Sequence, residues 1–372
     1  MKPTVTIIRI LTGLLFIFSG LVKAIDPLGL AYKMQEFFEV WGQSPSLTSL
    51  MNTLDHYVVA FSIIMITLEV VVGVALLAGW QKKLTAWILV LLMLFFTFLT
   101  SFVLFTGKIR ACGCFGDCIP LTPMQTFTKD IVLLLFAFFI LFNTEYISPI
   151  AKPLMNSLLV FVAAALTLYL QFHVMKHLPA KDCLPFKAGN NILELRKMPA
   201  DAVPDKYDYV FIYEKDGVKK EFPVSALPDS TWKFSDRKQM LVEKGKNNIP
   251  LINDFSLTTT SGADSTETIL NTPGEYYLCF IKQLPGNTNE WLADFKTISE
   301  KAAASNRNLY IVTGQTIEVS AFLEKNKIVY QKLLTCDVTS IKTAARATPT
   351  IFLMKGPVVQ GKWSWADFDE VK

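Results

Sequence analysis

The feature that most constrains this chain is how unevenly its charge is spread. Residues 1–175 carry 18 charged side chains (10 basic, 8 acidic) and residues 176–372 carry 50 (26 basic, 24 acidic). A soluble domain averages about 25% charged residues, so the first half reads as membrane-embedded and the second as soluble. Five apolar stretches reach the ~20 residues that a bilayer crossing requires. They run roughly over residues 4–24, 57–79, 84–106, 128–147 and 153–175. The first ends in Val22-Lys23-Ala24, a loose likeness to a signal-peptidase site. A lysine inside the site and the spans that follow argue for a retained helix. Net charge is only +4 and the basic residues are dispersed, which leaves no nucleic-acid footprint.

Basic residues near span ends set the expected orientation. Lys2 and Arg9, then Lys82 and Lys83, mark the cytoplasmic side, which puts the loop between spans three and four and the whole second half outside. Lys108 and Arg110 in that loop weigh against this, and its cysteines weigh for it, because an oxidising compartment suits clustered thiols. The expectation is an integral protein of a bacterial inner membrane with a periplasmic C-terminal half and lipid as its surroundings.

Between spans one and two, Leu28, Leu30, Met34, Phe37, Phe38 and Trp41 recur at near-helical spacing and predict an amphipathic segment on the outer surface. Asn52-Thr53-Leu54-Asp55 is expected to cap span two. Thr122-Pro123-Met124-Gln125 predicts a capping box with Pro at the first helical position of span four. Residues 176–191 read as a linker. Tyr207–Tyr213 and Val218–Val224 form a predicted hairpin about Lys215-Asp216-Gly217, followed by short strands and turns to about 250. From about 251 strands and helices alternate. The expected fold class is mixed: an α-helical transmembrane bundle, with a four-helix core and a fifth helix, before a soluble α/β domain. The division is 1–150, 151–190, 191–250 and 251–372.

The chemistry concentrates in Cys112-Gly113-Cys114-Phe115-Gly116-Asp117-Cys118, which holds three of the six cysteines. A Cys112–Cys114 bridge would close a small strained ring, easier to reduce than a structural staple. The positive end of span four favours thiolate. Cys118 and Cys183 are candidate resolving or partner thiols. A static disulfide or a metal clip completed by His173 or His177 are the competing readings; the loop lacks paired Cys-x-x-Cys arms, and no metal site is assigned. Arg9, Lys23 and Glu69 are ionisable groups at or near membrane depth, where charges pair or face a bundle interior. An Arg9–Glu69 pair is one expectation; the cluster reads as a proton or cofactor pocket, or as a packing lock.

These residues carry a resemblance. Ile8-Arg9-Ile10, Phe18-Ser19-Gly20-Leu21-Val22-Lys23 and Asp26-Pro27 resemble the opening of DoxX-like and MauE-like membrane proteins. Glu69 with Gly73, and Cys112-Gly113-Cys114-Phe115-Gly116 with Pro120-Leu121-Thr122, are similar to the MauE (methylamine utilisation) branch. Over residues 4–148 the resemblance implies a four-helix membrane core tied to periplasmic thiol–disulfide chemistry, similar in architecture to the vitamin K epoxide reductase and DsbB type. Cys118 and the fifth span depart from that plan. A quinone acceptor is implied only by analogy.

The last ~120 residues resemble a thioredoxin-like domain of the peroxiredoxin/TlpA type, with Pro349 at the cis-proline position. Leu284-Pro285-Gly286-Asn287-Thr288 stands where a Cys-x-x-Cys would, so that domain resembles a binding module more than a dithiol catalyst. Cys336 alone keeps a single-thiol role there, and Cys279 reads as a buried small hydrophobe. The resulting expectation is a membrane thiol–disulfide oxidoreductase or electron relay, acting through Cys112 and Cys114 on a periplasmic client or a thioredoxin-like partner. The alternatives are a non-enzymatic scaffold displaying a client-binding domain, and a transporter-like bundle about Glu69 and Arg9.

Overall fold

The computed structural model describes residues 1–109, 113, 115–243 and 245–371. Its first half is helical: α1 Lys2–Ala24, α2 Pro27–Gly42, α3 Thr48–His56, α4 Val58–Ala78, α5 Lys82–Thr106, α6 Pro123–Phe142 and α7 Pro153–His177. Among the described residues five helices, α1, α4, α5, α6 and α7, are long and apolar enough to cross a membrane. Their outward faces carry Leu11, Trp87, Leu91, Phe105, Leu135 and Phe161 exposed, the surface of a bundle solvated by lipid rather than water.

Alpha1 and α4 approach closely because glycines line the crossing. A Cβ at Gly73 would fall 2.8 Å from the Gly13 carbonyl oxygen, and one at Gly20 2.5 Å from Val70 Cγ2. Small residues at a crossing allow such backbone contact in membranes. The C-terminal ends of α1, α5 and α7 and the N-terminal ends of α4 and α6 lie at one end of the bundle. The opposite end is closed by Ile150 N–H donating to the Ala78 carbonyl and by Arg9 Nη1 donating to the Ser148 carbonyl at 3.1 Å.

Several boundaries differ from expectation. Alpha6 starts five residues before the expected 128, because the Thr122 cap, not hydropathy, sets its origin. Residues 52–55 do not cap the second span: they lie inside α3, and α4 follows Tyr57 with no side-chain cap. Alpha2 buries Ala31, Met34, Phe37 and Phe38 against the bundle while Gln35 and Glu36 face away, the amphipathic helix that the spacing predicts.

The second half begins with the short helix α8 Ile192–Leu195, then β1 Lys206–Lys215, β2 Val218–Pro223 and β3 Lys233–Glu243, a three-stranded antiparallel sheet ordered β2-β1-β3. The hairpin forms as expected, but β3 is an 11-residue strand where short pieces are predicted. Its side chains are exposed throughout, so no buried face marks it in the sequence.

A second unit follows: β4 Thr258–Thr259, α9 Thr266–Leu270, β5 Glu275–Ile281, α10 Leu292–Ala304, β6 Leu309–Thr313, α11 Thr316–Lys325, β7 Lys332–Thr335, α12 Val338–Ala344, β8 Thr350–Lys355 and β9 Val358–Ser364. Its six-stranded sheet is ordered β4-β7-β6-β5-β8-β9, with β5, β6 and β7 parallel and β8 and β9 antiparallel. Strand β5 is buried on both faces, as its unbroken Tyr-Tyr-Leu-Cys-Phe-Ile run requires. The Thr348–Pro349 peptide is cis. The chain is thus a bundle of apolar helices followed by a mixed α/β part.

Candidate functional site

The cysteine loop sits where three bodies meet: the bundle, α2 and the six-stranded unit. Cys112 and Cys114 lie outside the described residues, so the site is built from Gly113 and residues 115–118. Gly113 and Gly116 have φ of 71° and 59°, and the Gly116 N–H donates to the Gly113 carbonyl at 2.8 Å, closing a tight turn. Non-glycine residues adopt such angles at a cost. The Phe115 ring packs 6.0 Å from Phe18 of α1, with Lys129 Nζ of α6 5.1 Å from its centroid.

The loop then runs into the capped start of α6. Gln125 N–H donates to Thr122 Oγ1 and Thr122 N–H donates to Gln125 Oε1 at 3.0 Å, the predicted capping box. The dipole end there favours negative charge nearby.

Cys118 and Cys183 are joined to each other by a disulfide. Neither is therefore a free thiol in this structure, and the expected resolving role has no open sulfur at either position. The bond ties the loop to the segment after α7. The sequence separation of 65 residues would be worth about 4 kcal/mol for a flexible chain. Alpha6 and α7 span most of that interval and stay helical, so its worth here is smaller. Cys118→Ser is expected to increase proteolysis within residues 178–190 several-fold. Unchanged cleavage would show that the bond restrains nothing.

Beneath the loop lies a buried polar group. Lys23 Nζ is 2.6 Å from Glu69 Oε2, with the two side chains 2% and 5% exposed, and 5.0 Å from the Phe96 centroid. The expected Arg9–Glu69 pair is not formed. Arg9 and Lys23 are 14 residues apart on one helix, about 21 Å along its axis, and Glu69 lies at the loop end while Arg9 lies at the other. Lys129 Nζ and Asp130 Oδ1 form a second pair at 2.5 Å, and Asp130 is 1% exposed. Both pairs and Ser19 line one small cavity between α1, α4, α5 and α6. A span starting at 128 puts Lys129 and Asp130 at its edge, so hydropathy does not single them out. Two charges in an apolar run just inside a capping box were the available signal.

Above the loop, the six-stranded unit docks through basic side chains from its α12 end. Arg346 Nε donates to Asp26 Oδ2 at 2.9 Å, its Nη2 to Asp117 Oδ2 at 3.0 Å and its Nη1 to the Lys342 carbonyl at 2.9 Å. Burial works against that charge, and Asp26 and Asp117 outweigh it, so the guanidinium is held above its ordinary pKa. Tyr32 of α2 receives Lys282, Lys342 and Arg346 around its ring at 5.2–5.5 Å, and its hydroxyl accepts from Lys282 Nζ.

A second set of contacts holds the end of α7. His177 Nδ1 lies 2.6 Å from Asp367 Oδ1, and Ser364 Oγ donates to the Lys176 carbonyl. His177 stacks on His173, so these rings act in packing and docking. Among the described residues no group of three His, Cys, Asp or Glu could hold a metal ion.

The other cysteines stand apart. Cys336 is 4% exposed, and burial pushes its thiol up to about 12, so it is no thiolate at neutral pH. Cys279 is fully buried in β5 and its thiol is raised further by the same cause. Pro349 immediately precedes β8, and Thr348 Oγ1 accepts from the Lys282 N–H and donates to the Gln283 carbonyl. This links the Pro349 turn to the segment after β5. From the same edge of the unit Lys282 reaches Tyr32 of α2 and Arg346 reaches Asp26 and Asp117.

Residues 1–143 match the family model described as methylamine utilisation protein MauE. Residues 207–244, the three-stranded sheet, match a domain of unknown function (DUF8463). Protein TlpB of Flavobacterium psychrophilum is 34% identical over 144 residues, 37% of this chain and 37% of that relative. The matched stretch thus spans little more than a third of the curated relative's length. No solved structure matches. With five apolar helices of spanning length, the MauE match identifies a membrane protein.

Proposed function

We propose that this chain is a membrane thiol–disulfide exchange protein whose working pair is Cys112 and Cys114, acting on a protein dithiol outside the cytoplasm. The observation that carries the reading is the anchoring of the residues around that pair. Asp117 is bound by Arg346, Cys118 is bonded to Cys183, and Phe115 rests on Lys129 above a buried charge cluster. The likeness of residues 1–143 to the MauE model supports it.

In one half-cycle the client's two thiols lose two electrons and two protons as its disulfide forms. The Cys112–Cys114 bond breaks and gains both. The six-stranded unit, read as thioredoxin-like from its strand order, carries no Cys-x-x-Cys of its own. Its role is to position the client or a thioredoxin-like partner.

An N-terminus in the cytoplasm of a bacterium and an external α/β part are supported by two features. Lys2, Lys82, Lys83 and Lys152 gather at the end opposite the loop, and the loop end carries the disulfide. A quinone acceptor finds no fit at Lys23. The recess bounded by Lys23, Phe61, Met65 and Phe96 has about 10 Å³ of open volume, room for about one water. No step is routed through a quinone.

The test is alkylation of intact cells with a membrane-impermeant mass-tagged maleimide before and after a dithiothreitol pulse, read on the peptide containing residues 112 and 114. The pair is expected to label only after reduction and to reoxidise when the pulse ends. Cys114→Ser should accumulate a mixed disulfide through Cys112. A pair that stays oxidised throughout, with no adduct in the variant, would mean a static clip on a scaffold and would sink the proposal.

A further inference from the structure

The dipeptide Asp-Cys stands at 117–118 and again at 182–183, and the two cysteines are bonded to each other. We propose that the Cys118–Cys183 disulfide is a redox-sensitive latch, positioned by the buried cations Arg346 and Lys362. Closed, it holds the six-stranded unit on the bundle; reduced by a dithiol, it lets that contact open. The inference goes beyond the exchange function proposed above and does not depend on it.

The two cysteines belong to different bodies. Cys118 lies four residues before the Thr122 cap of α6, in the bundle. Cys183 opens a segment that is part of the six-stranded unit. Leu184 and Phe186 are buried there, and the Phe186 ring packs 5.2 Å from Phe255. The Gly189 N–H donates to the Val359 carbonyl at 2.8 Å and the Ile192 N–H to the Pro357 carbonyl at 2.9 Å, which fastens the segment along β9. The disulfide is therefore a covalent strap between bundle and unit.

A buried cation of the unit holds each aspartate. Arg346 Nη2 donates to Asp117 Oδ2 at 3.0 Å, and Lys362 Nζ donates to Asp182 Oδ2 at 2.6 Å. The two basic side chains are 7% and 9% exposed. Asp182 Oδ1 also accepts from the Leu184 N–H at 2.9 Å, which fixes the backbone on the far side of Cys183. Burial lowers the Lys362 pKa and Asp182 opposes it, with Arg346 and Asp26 close enough to act on the same charge. One cluster thus draws both Asp-Cys dipeptides together, and thiols held in register close readily. Once the bond is open, Asp117 depends on an ion pair whose carboxylate is 40% exposed, and such a pair is weak alone.

The bond is also within reach. Both cysteines are half-buried rather than sealed. Cys183 lines a groove of about 590 Å³ between α2 and α12, shared with Leu251 and Thr343. Access to a sulfur governs exchange. A thiolate of the dithiol, its proton lost to water, attacks Cys183 Sγ. The sulfur–sulfur bond breaks, and Cys118 leaves as a thiolate that water protonates. The second thiol of the reductant, deprotonated in the same way, attacks the mixed disulfide and releases Cys183, which is protonated in turn. The dithiol has become a disulfide, and two electrons and two protons have passed to Cys118 and Cys183.

The experiment is hydrogen exchange of the purified full-length protein when oxidised, treated with dithiothreitol and reoxidised, beside Cys118→Ser/Cys183→Ser. Mass-tag alkylation of the peptides holding residues 118 and 183 reports the state of the bond. Linkage strengthens a contact by about 10²–10⁴ and α7 still tethers the unit, so exchange at residues 115–122 and in α12 is expected to speed roughly tenfold on reduction. Reoxidation should restore protection. The double variant is expected to match the reduced wild type and to ignore dithiothreitol, with protected β5 and β6 showing that it is folded. Lys362→Met should re-form the bond several-fold more slowly in glutathione buffer. A bond that dithiothreitol does not open in the native protein overturns the latch. So does reduction that leaves exchange at these segments unchanged, or unslowed closure in Lys362→Met. A dithiothreitol response that persists in the double variant assigns the effect to other cysteines and overturns it as well.

Discussion

Arg346→Met is expected to loosen the six-stranded unit from the bundle by roughly a hundredfold. The guanidinium is 7% exposed and bonds two carboxylates and the Lys342 carbonyl at once. Removing one partner of a fully buried pair costs about 3–5 kcal/mol. Asp117 is 40% exposed and its share is screened to about 0–1 kcal/mol, while Asp26 at 21% keeps more of its value. A total of about 3 kcal/mol corresponds to roughly a hundredfold in the docking equilibrium. Hydrogen exchange of α2 around Tyr32 and of α12 should accelerate together, with the sheet interior β5 and β6 unchanged. Arg346→Lys is not expected to restore protection, because a single ammonium cannot span Asp26, Asp117 and the carbonyl in the geometry of the planar fork. Wild-type protection in Arg346→Met would show that the Tyr32 and α7 contacts hold the unit without it.

What the sequence discloses here follows the range of the interactions involved. The spans, the α6 capping box and the β1–β2 hairpin are local, set by runs of apolar residues or by residues three positions apart, and they are legible. The pairing of Glu69 is not. Arg9 and Lys23 are both plausible partners in sequence, and the choice depends on the direction in which α1 and α4 run past each other. Cys118 and Cys183 stand 65 residues apart, and six cysteines allow 15 fully paired connectivities. Arg346 meets Asp117 and Asp26 across 229 and 320 residues; nothing local marks it as more than one basic residue among many. The Thr122 capping box puts Lys129 and Asp130 well inside α6, whereas hydropathy alone starts the helix at 128.

Glu69→Leu is expected to be the most destabilising single change within the membrane part, and a second substitution should undo it. The leucine removes the carboxylate that lies 2.6 Å from the Lys23 ammonium, itself 2% exposed beside Phe96. Breaking a buried pair in this way costs about 3–5 kcal/mol, whereas replacing both members by apolar residues of similar volume is often neutral or stabilising. Lys23→Met/Glu69→Leu should therefore regain most of the heat tolerance that Glu69→Leu loses, measured as the fraction remaining monodisperse in detergent after heating. The coupling in that double-mutant cycle reads the pair itself. A double variant as fragile as the single one would show that the loss comes from helix packing about Glu69 and not from an abandoned charge. If stability returns while reduction of the cysteine loop stays slow, the pair serves the chemistry above it. If both return, it serves the fold alone.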